Sequence, residues 1–126
     1  MIIVDTSVWV QALRRGTSEE AGVLRTLLDA DEVALPLPVR IELLSGVSAE
    51  QRAALTRALA ALPVARPTDE TWTQVERWGE AAARAGQHFA ITDLLIAALT
   101  REVGGLVWSL DGDFRRMADL GFVQHY

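Results

Sequence analysis

Three aliphatic residues, Ile2-Ile3-Val4, run without a break into Asp5. A continuous apolar run is the pattern of a strand buried on both faces, the kind found in parallel sheets with helices over them. The opening residues therefore favour a chain in which strands and helices alternate. They also raise a chemical question. A carboxylate ends the first buried strand, and two hydroxyl residues, Thr6 and Ser7, follow it.

The rest of the chain keeps the alternation. A short helix is expected over about Ser7–Arg14, ended by Gly16, and a second begins at Ser18 and reaches about Ala30, with Leu24, Leu27 and Leu28 on one face. Glu32–Leu35 reads as a short strand. Pro38 suits the first turn of a helix ending near Gly46. Ser48-Ala49-Glu50-Gln51 reads as a capping box for a helix striped by Leu55, Leu59 and Leu62. Pro63–Ala65 is a third strand candidate. Thr68 caps a helix over about Asp69–Ala85, with Trp72, Val75, Gly79 and Ala82 along one side. Thr92 caps the next, about Asp93–Val103, closed by Gly104-Gly105. Leu106–Ser109 is again strand-like. A last helix, about Gly112–Leu120, leads to Phe122-Val123-Gln124, a candidate edge strand. Right-handed crossovers turn this order into a three-layer α/β/α domain with a mainly parallel sheet of about four to five strands flanked by helices.

Composition sets limits on function. At 126 residues, half of them hydrophobic, the chain is expected to form one domain spanning residues 1–126 with a genuine core. No cysteine is present, which removes disulfides and thiolate metal sites. Met1–Val4 is too short and uncharged for a signal peptide, and no apolar run approaches the roughly 18 residues of a membrane helix, so a cytoplasmic protein with no membrane partner is expected. Twelve basic against 17 acidic residues give a net charge of −5, which argues against a uniformly basic nucleic-acid surface but not against phosphate held through a metal ion. All the basic residues are arginine.

In an open parallel sheet, sites form beyond the carboxyl ends of the strands. Asp5 ends the first strand, Asp111 lies two residues past Ser109, Asp93 begins a helix entered from the same side, and Glu42 lies about one turn into the helix after the second strand. Each has a plain structural explanation. Asp5, Thr6 and Ser7 could cap a helix, Asp93 could complement a helix dipole, Glu42 could be solvated surface, and Asp111-Gly112 could be a turn. Together at one rim, four carboxylates repel each other and need a cation. With no Cys, and with His88 and His125 outside any motif spacing, oxygen-only ligation points to Mg²⁺ or Mn²⁺, the usual equipment for phosphodiester hydrolysis. The absence of lysine excludes a P-loop and the lysine-dependent aspartyl phosphotransferases, and no Gly-x-Gly-x-x-Gly or Gly-x-Ser-x-Gly is present.

Val4-Asp5-Thr6-Ser7-Val8-Trp9, Ile41-Glu42-Leu43-Leu44-Ser45-Gly46, Thr92-Asp93-Leu94-Leu95-Ile96-Ala97-Ala98 and Ser109-Leu110-Asp111-Gly112-Asp113-Phe114 resemble, in order, the motifs of PIN-domain ribonucleases. The nearest resemblance is to the VapC-like toxins of type II toxin–antitoxin systems. It covers essentially the whole chain. It implies that Asp5, Glu42, Asp93 and Asp111 form an acidic pocket, with Asp5, Asp93 and Asp111 as Mg²⁺ ligands and Glu42 holding water or a second ion. Thr6 and Ser109 fit hydroxyl positions that orient neighbouring carboxylates. Asp113 is a fifth candidate, or else caps the last helix while Phe114 packs inward. The implied reaction is metal-dependent endonucleolytic cleavage of RNA, with a homodimer held inactive by a cognate antitoxin in a heterotetramer or larger assembly. Arg14, Arg15, Arg40, Arg115 and Arg116 could steer the RNA backbone, and Trp9, Trp72 and Trp78 are candidate partner contacts. A DNA-directed or other PIN-like phosphodiesterase, and a non-catalytic module of the same fold, stand as alternatives.

Overall fold

The computed structural model describes residues Met1–Tyr126. Its elements run β1 (Ile2–Val4), α1 (Thr6–Arg14), α2 (Glu19–Asp29), β2 (Val33–Pro36), α3 (Leu37–Ser45), α4 (Ala49–Ala60), β3 (Val64–Ala65), α5 (Asp69–Arg84), α6 (Ile91–Glu102), β4 (Leu106–Trp108) and α7 (Asp113–Asp119). The strands form one sheet in the order β3-β2-β1-β4, and every pairing is parallel. Helices flank this sheet, which gives the three-layer α/β/α architecture expected from the alternation. No helix is long and apolar enough to cross a membrane.

The strand order explains where a site can form. The chain moves from β1 out to β2 and β3, then returns across the sheet to place β4 on the other side of β1. The reversal lies between β1 and β4, and such a switch point leaves a crevice beyond the strands' carboxyl ends. In register, Val4 pairs with Trp108, so Asp5 and Ser109 leave the sheet side by side.

The core follows from the apolar strands. Ile3, Val4, Val33, Leu35 and Val107 are buried on both sides of the sheet, each contributing about 1.5–3 kcal/mol relative to an exposed position. Helix α6 is unusual in being buried from Leu94 through Thr100 without interruption. A helix apolar all round is a central helix. Its first turn carries Asp93, which is therefore brought half out of water. At the opposite end of the sheet, Gly105 admits β4 beside the first residues. A Cβ there would lie 2.5 Å from the Met1 carbonyl oxygen.

Several local expectations are corrected. The capping box of α4 is half made: Ser48 Oγ accepts from the Gln51 N–H, and no return bond is present. The complete box is at α5, where Thr68 and Thr71 exchange bonds. Thr92 does not cap α6; Ala90 holds the cap position without a side-chain bond, and Thr92 is already helical. Trp72 is 44% exposed, not part of the buried side of α5, which is Thr71, Val75, Trp78 and Ala82. The expected edge strand at Phe122–Gln124 reduces to a single parallel bridge between Val107 and His125. The Phe122 N–H is already used in closing α7, where it donates to the Met117 carbonyl at 3.0 Å beside Gly121 at φ +80°, and its ring stacks on Trp78 with centroids 4.8 Å apart.

Candidate active site

Asp5 occupies the N-cap position of α1, yet its carboxylate bonds to no helix N–H. Helix capping is therefore not its role. It is 7% exposed, and its Oδ2 accepts from Ser109 Oγ at 2.8 Å and from Ser7 Oγ at 2.9 Å. The same two hydroxyls accept from the loop after β4: Leu110 N–H donates to Ser7 Oγ and Asp111 N–H to Ser109 Oγ. Asp111 Oδ1 accepts from the Asp113 N–H at 3.0 Å, which starts α7. Asp113 is thus a first-turn residue of that helix and not its cap, and Phe114 behind it is wholly buried.

The structure brings Asp93, Asp111 and Asp113 together most tightly. One carboxylate oxygen from each falls within 4.8 Å of the others. Asp5 and Glu42 lie outside that trio but close enough for their charges to act on Asp93. Burial first, then Asp5, Asp111, Asp113 and Glu42 in turn, push the Asp93 carboxyl up to about 6. Glu42 is open to solvent by area but still partly desolvated; that desolvation raises its pKa, and the Asp5 charge raises it further. Thr6 opposes the Glu42 shift, although its buried hydroxyl makes no hydrogen bond of good geometry. The four sequence-derived acids therefore face one region, with Asp113 as an integral fifth member.

Among the arginines singled out above, Arg116 alone is organised at this site. It forms the chain's one ion pair, with Asp113. It also donates to Gln87 Oε1 at 2.9 Å and lies 5.2 Å over the Phe89 ring. The sequence offers Ser7 only as a possible helix cap, and Thr6 rather than Ser7 as the hydroxyl that orients a carboxylate beside Ser109. A hydroxyl two residues after a strand-end acid is the only available signal, and the crossing to Ser109 is long-range. Trp9 and Trp78 are buried in the core, which leaves Trp72 as the one exposed member of the three candidates.

The donor set at this rim is carboxylate oxygen alone, and Mg²⁺ bonds of about 2.1 Å would need ligand oxygens no more than about 4 Å apart. The oxygens of the trio, within 4.8 Å of one another, would draw together slightly to close on such an ion. The PIN domain family matches residues 2–120. The chain belongs to that family. Among its relatives, Ribonuclease VapC18 of Mycobacterium tuberculosis is 38% identical over 91% of this chain and 85% of its own length. VapC ribonuclease Mb1587 of Mycobacterium bovis is 33% identical over 98% and 96%. The solved structure of VapBC-1 from nontypeable Haemophilus influenzae superposes with a TM-score of 0.78 at 18% identity, covering all of this chain and 97% of that one, a likeness of fold.

The raised Asp93 carboxyl makes the metal-free PIN domain sensitive to pH. The unfolded chain releases this proton near the ordinary 3.8, the folded one near 6. Between those values the native state binds more protons, so stability falls as pH rises through that window and is flat above it. Glu42 acts in the same direction. After discounting for solvent screening, about 1 kcal/mol is at stake, or about 3–5 °C in melting temperature for a domain of this size. Thermal melts in EDTA at pH 5 and pH 7.5 check this, with the loss expected to shrink in Asp93→Asn.

Proposed function

We propose that this PIN domain is a metal-dependent endoribonuclease and the toxin of a toxin–antitoxin pair. It hydrolyses RNA phosphodiester bonds at a pocket formed by Asp5, Glu42, Asp93 and Asp111. The observation that carries the reading is the crowding of carboxylates around Asp93, whose proton is held to about 6 by burial and four acidic neighbours. The chain has no lysine to offset them, and Arg116 pairs with Asp113 alone. Such a set is at ease in ionised form only with a bound cation.

Asp5, Asp93 and Asp111 would hold Mg²⁺, or Mn²⁺, with Asp113 close enough to share the Asp111 role. A divalent ion there supplies Lewis acidity toward the phosphate and lowers the pKa of water. The chain's own residues do the rest. The serine hydroxyls fix one oxygen of Asp5 and hang the Asp111 loop from it. The apolar α6 keeps Asp93 partly out of water. Glu42, free of such anchors, orients water at the edge of the pocket. RNA as substrate is supported by the relatives named VapC ribonucleases.

An antitoxin segment has a suitable place. A groove of about 520 Å³ is lined by Val10, Leu13, Leu43 and Leu55 together with Arg14 and Glu42. Glu42 belongs to both groove and pocket, so a basic residue on that segment would reach the acids directly. The same reading makes the protein a cytoplasmic homodimer that joins its antitoxin in a heterotetramer or larger assembly.

The test is cleavage of total RNA by the purified, antitoxin-free protein in Mg²⁺ and in EDTA, beside Asp5→Asn. Discrete products that need both the metal and Asp5 are expected. Intact RNA with folded protein in every condition would remove the nuclease reading, and cleavage of single-stranded DNA alone would redirect it to another nucleic acid.

A further inference from the structure

Ser7 performs a role that the acidic residues alone do not explain. Its hydroxyl joins three parts of the fold. It donates to Asp5 Oδ2 at 2.9 Å, accepts from the Leu110 N–H at 3.1 Å, and lies 3.3 Å from Ser109 Oγ. Ser109 repeats the pattern, donating to the same oxygen of Asp5 and accepting from the Asp111 N–H. Two parallel relays therefore run from backbone N–H through hydroxyl to one carboxylate oxygen. In each, the amide polarises the hydroxyl that bonds the anion. Asp5 Oδ1 accepts no bond from the protein and is the oxygen left for another ligand.

The relays also carry geometry. Ser7 stands in the first turn of α1, and Leu110 and Asp111 lie in the loop after β4, about a hundred residues later in the chain. The parallel register that pairs Val4 with Trp108 brings the two segments side by side. Ser7 then ties them beyond the end of the sheet, where no ladder bond can. If Ser7 lost its hydroxyl, the Leu110 N–H would lose its acceptor and Asp5 Oδ2 would keep only Ser109.

We propose that Ser7 is a positioning residue for cation binding: its hydroxyl sets Asp5 and the Asp111 loop in one register, so that two of the carboxylates meet a single ion. The proposal builds on the metal-dependent nuclease reading. It assigns Ser7 a weight comparable to Ser109, the hydroxyl more readily seen from sequence.

The deciding experiment titrates Mn²⁺ into antitoxin-free protein without RNA, by calorimetry or by the Mn²⁺ electron paramagnetic signal. Wild type, Ser7→Ala, Ser7→Thr, Ser109→Ala and the double alanine variant are compared, with thermal melts in EDTA as a check on folding. Ser7→Ala should weaken Mn²⁺ binding about tenfold, the scale on which groups supporting metal ligands act, at a melting temperature near wild type. Ser7→Thr should recover most of the affinity. The double variant should lose less than the summed single effects, since both hydroxyls serve one oxygen. Should Ser7→Ala not fold, Ser7→Cys, similar in shape but a weak donor, carries the same expectation. Wild-type affinity in a folded Ser7→Ala or Ser7→Cys protein overturns the proposal and leaves the nuclease reading standing. A wild-type protein that binds no Mn²⁺ at all overturns both.

Discussion

Asp93→Asn is expected to lower RNA cleavage by about 10²- to 10³-fold at saturating Mg²⁺, because a metal-held phosphate draws several kcal/mol of transition-state stabilisation from the ion. The same change should raise the melting temperature of the metal-free protein above neutral pH. The native carboxylate at position 93 is held among like charges and partly out of water, and an amide of nearly the same shape removes that repulsion. The two effects have opposite sign, which separates lost function from lost folding. Single-turnover cleavage and thermal melts in EDTA measure them together. Cleavage within tenfold of wild type would take Asp93 out of the reacting machinery. A lower melting temperature in EDTA would contradict the electrostatic account of the site.

Phe114→Ala is expected to cost about 3–5 kcal/mol of folding stability, a large share of the roughly 5–15 kcal/mol available to a domain. Phe114 is wholly buried and enters the core immediately after Asp113. With Met117, also fully buried, it fastens α7 to the body of the protein. The Asp111–Asp113 turn hangs between this anchor and the serine relays. Loss of the ring should therefore loosen the acids as well as the fold. Urea unfolding gives the stability, and Mn²⁺ titration below the transition shows whether binding falls with it. A loss under about 1 kcal/mol would mean that the core closes over the missing ring.

The legible parts of this protein are those with local causes. Ile2-Ile3-Val4, Val107 and the apolar run of α6 have no polar face to offer solvent, so a covered parallel sheet and a central helix follow from composition along short windows. The strand ends and the acids beyond them could be placed for the same reason. Chain order alone put Asp5, Glu42, Asp93 and Asp111 near one rim. The misread elements are those decided by competition. Thr92 has the chemistry of a cap, but the helix begins earlier at Ile91. Phe122-Val123-Gln124 has the look of a strand, but the Phe122 N–H is taken by the Met117 carbonyl at the end of α7. Trp72 shares helical spacing with the core residues of α5, yet the buried side follows Trp78 instead.

The sequence by itself determined the fold class and which oxygen donors the rim can offer, because apolar periodicity and the inventory of carboxylates need no third dimension. Only the tertiary structure decided how the acids are held. Which oxygen of Asp5 is held, that Ser7 and not Thr6 holds it beside Ser109, that Asp113 joins Asp93 and Asp111, and that Arg116 alone among the arginines meets an acid all depend on contacts a few ångströms long. Such contacts join residues far apart in the chain. No local pattern encodes them; the register between β1 and β4 sets them.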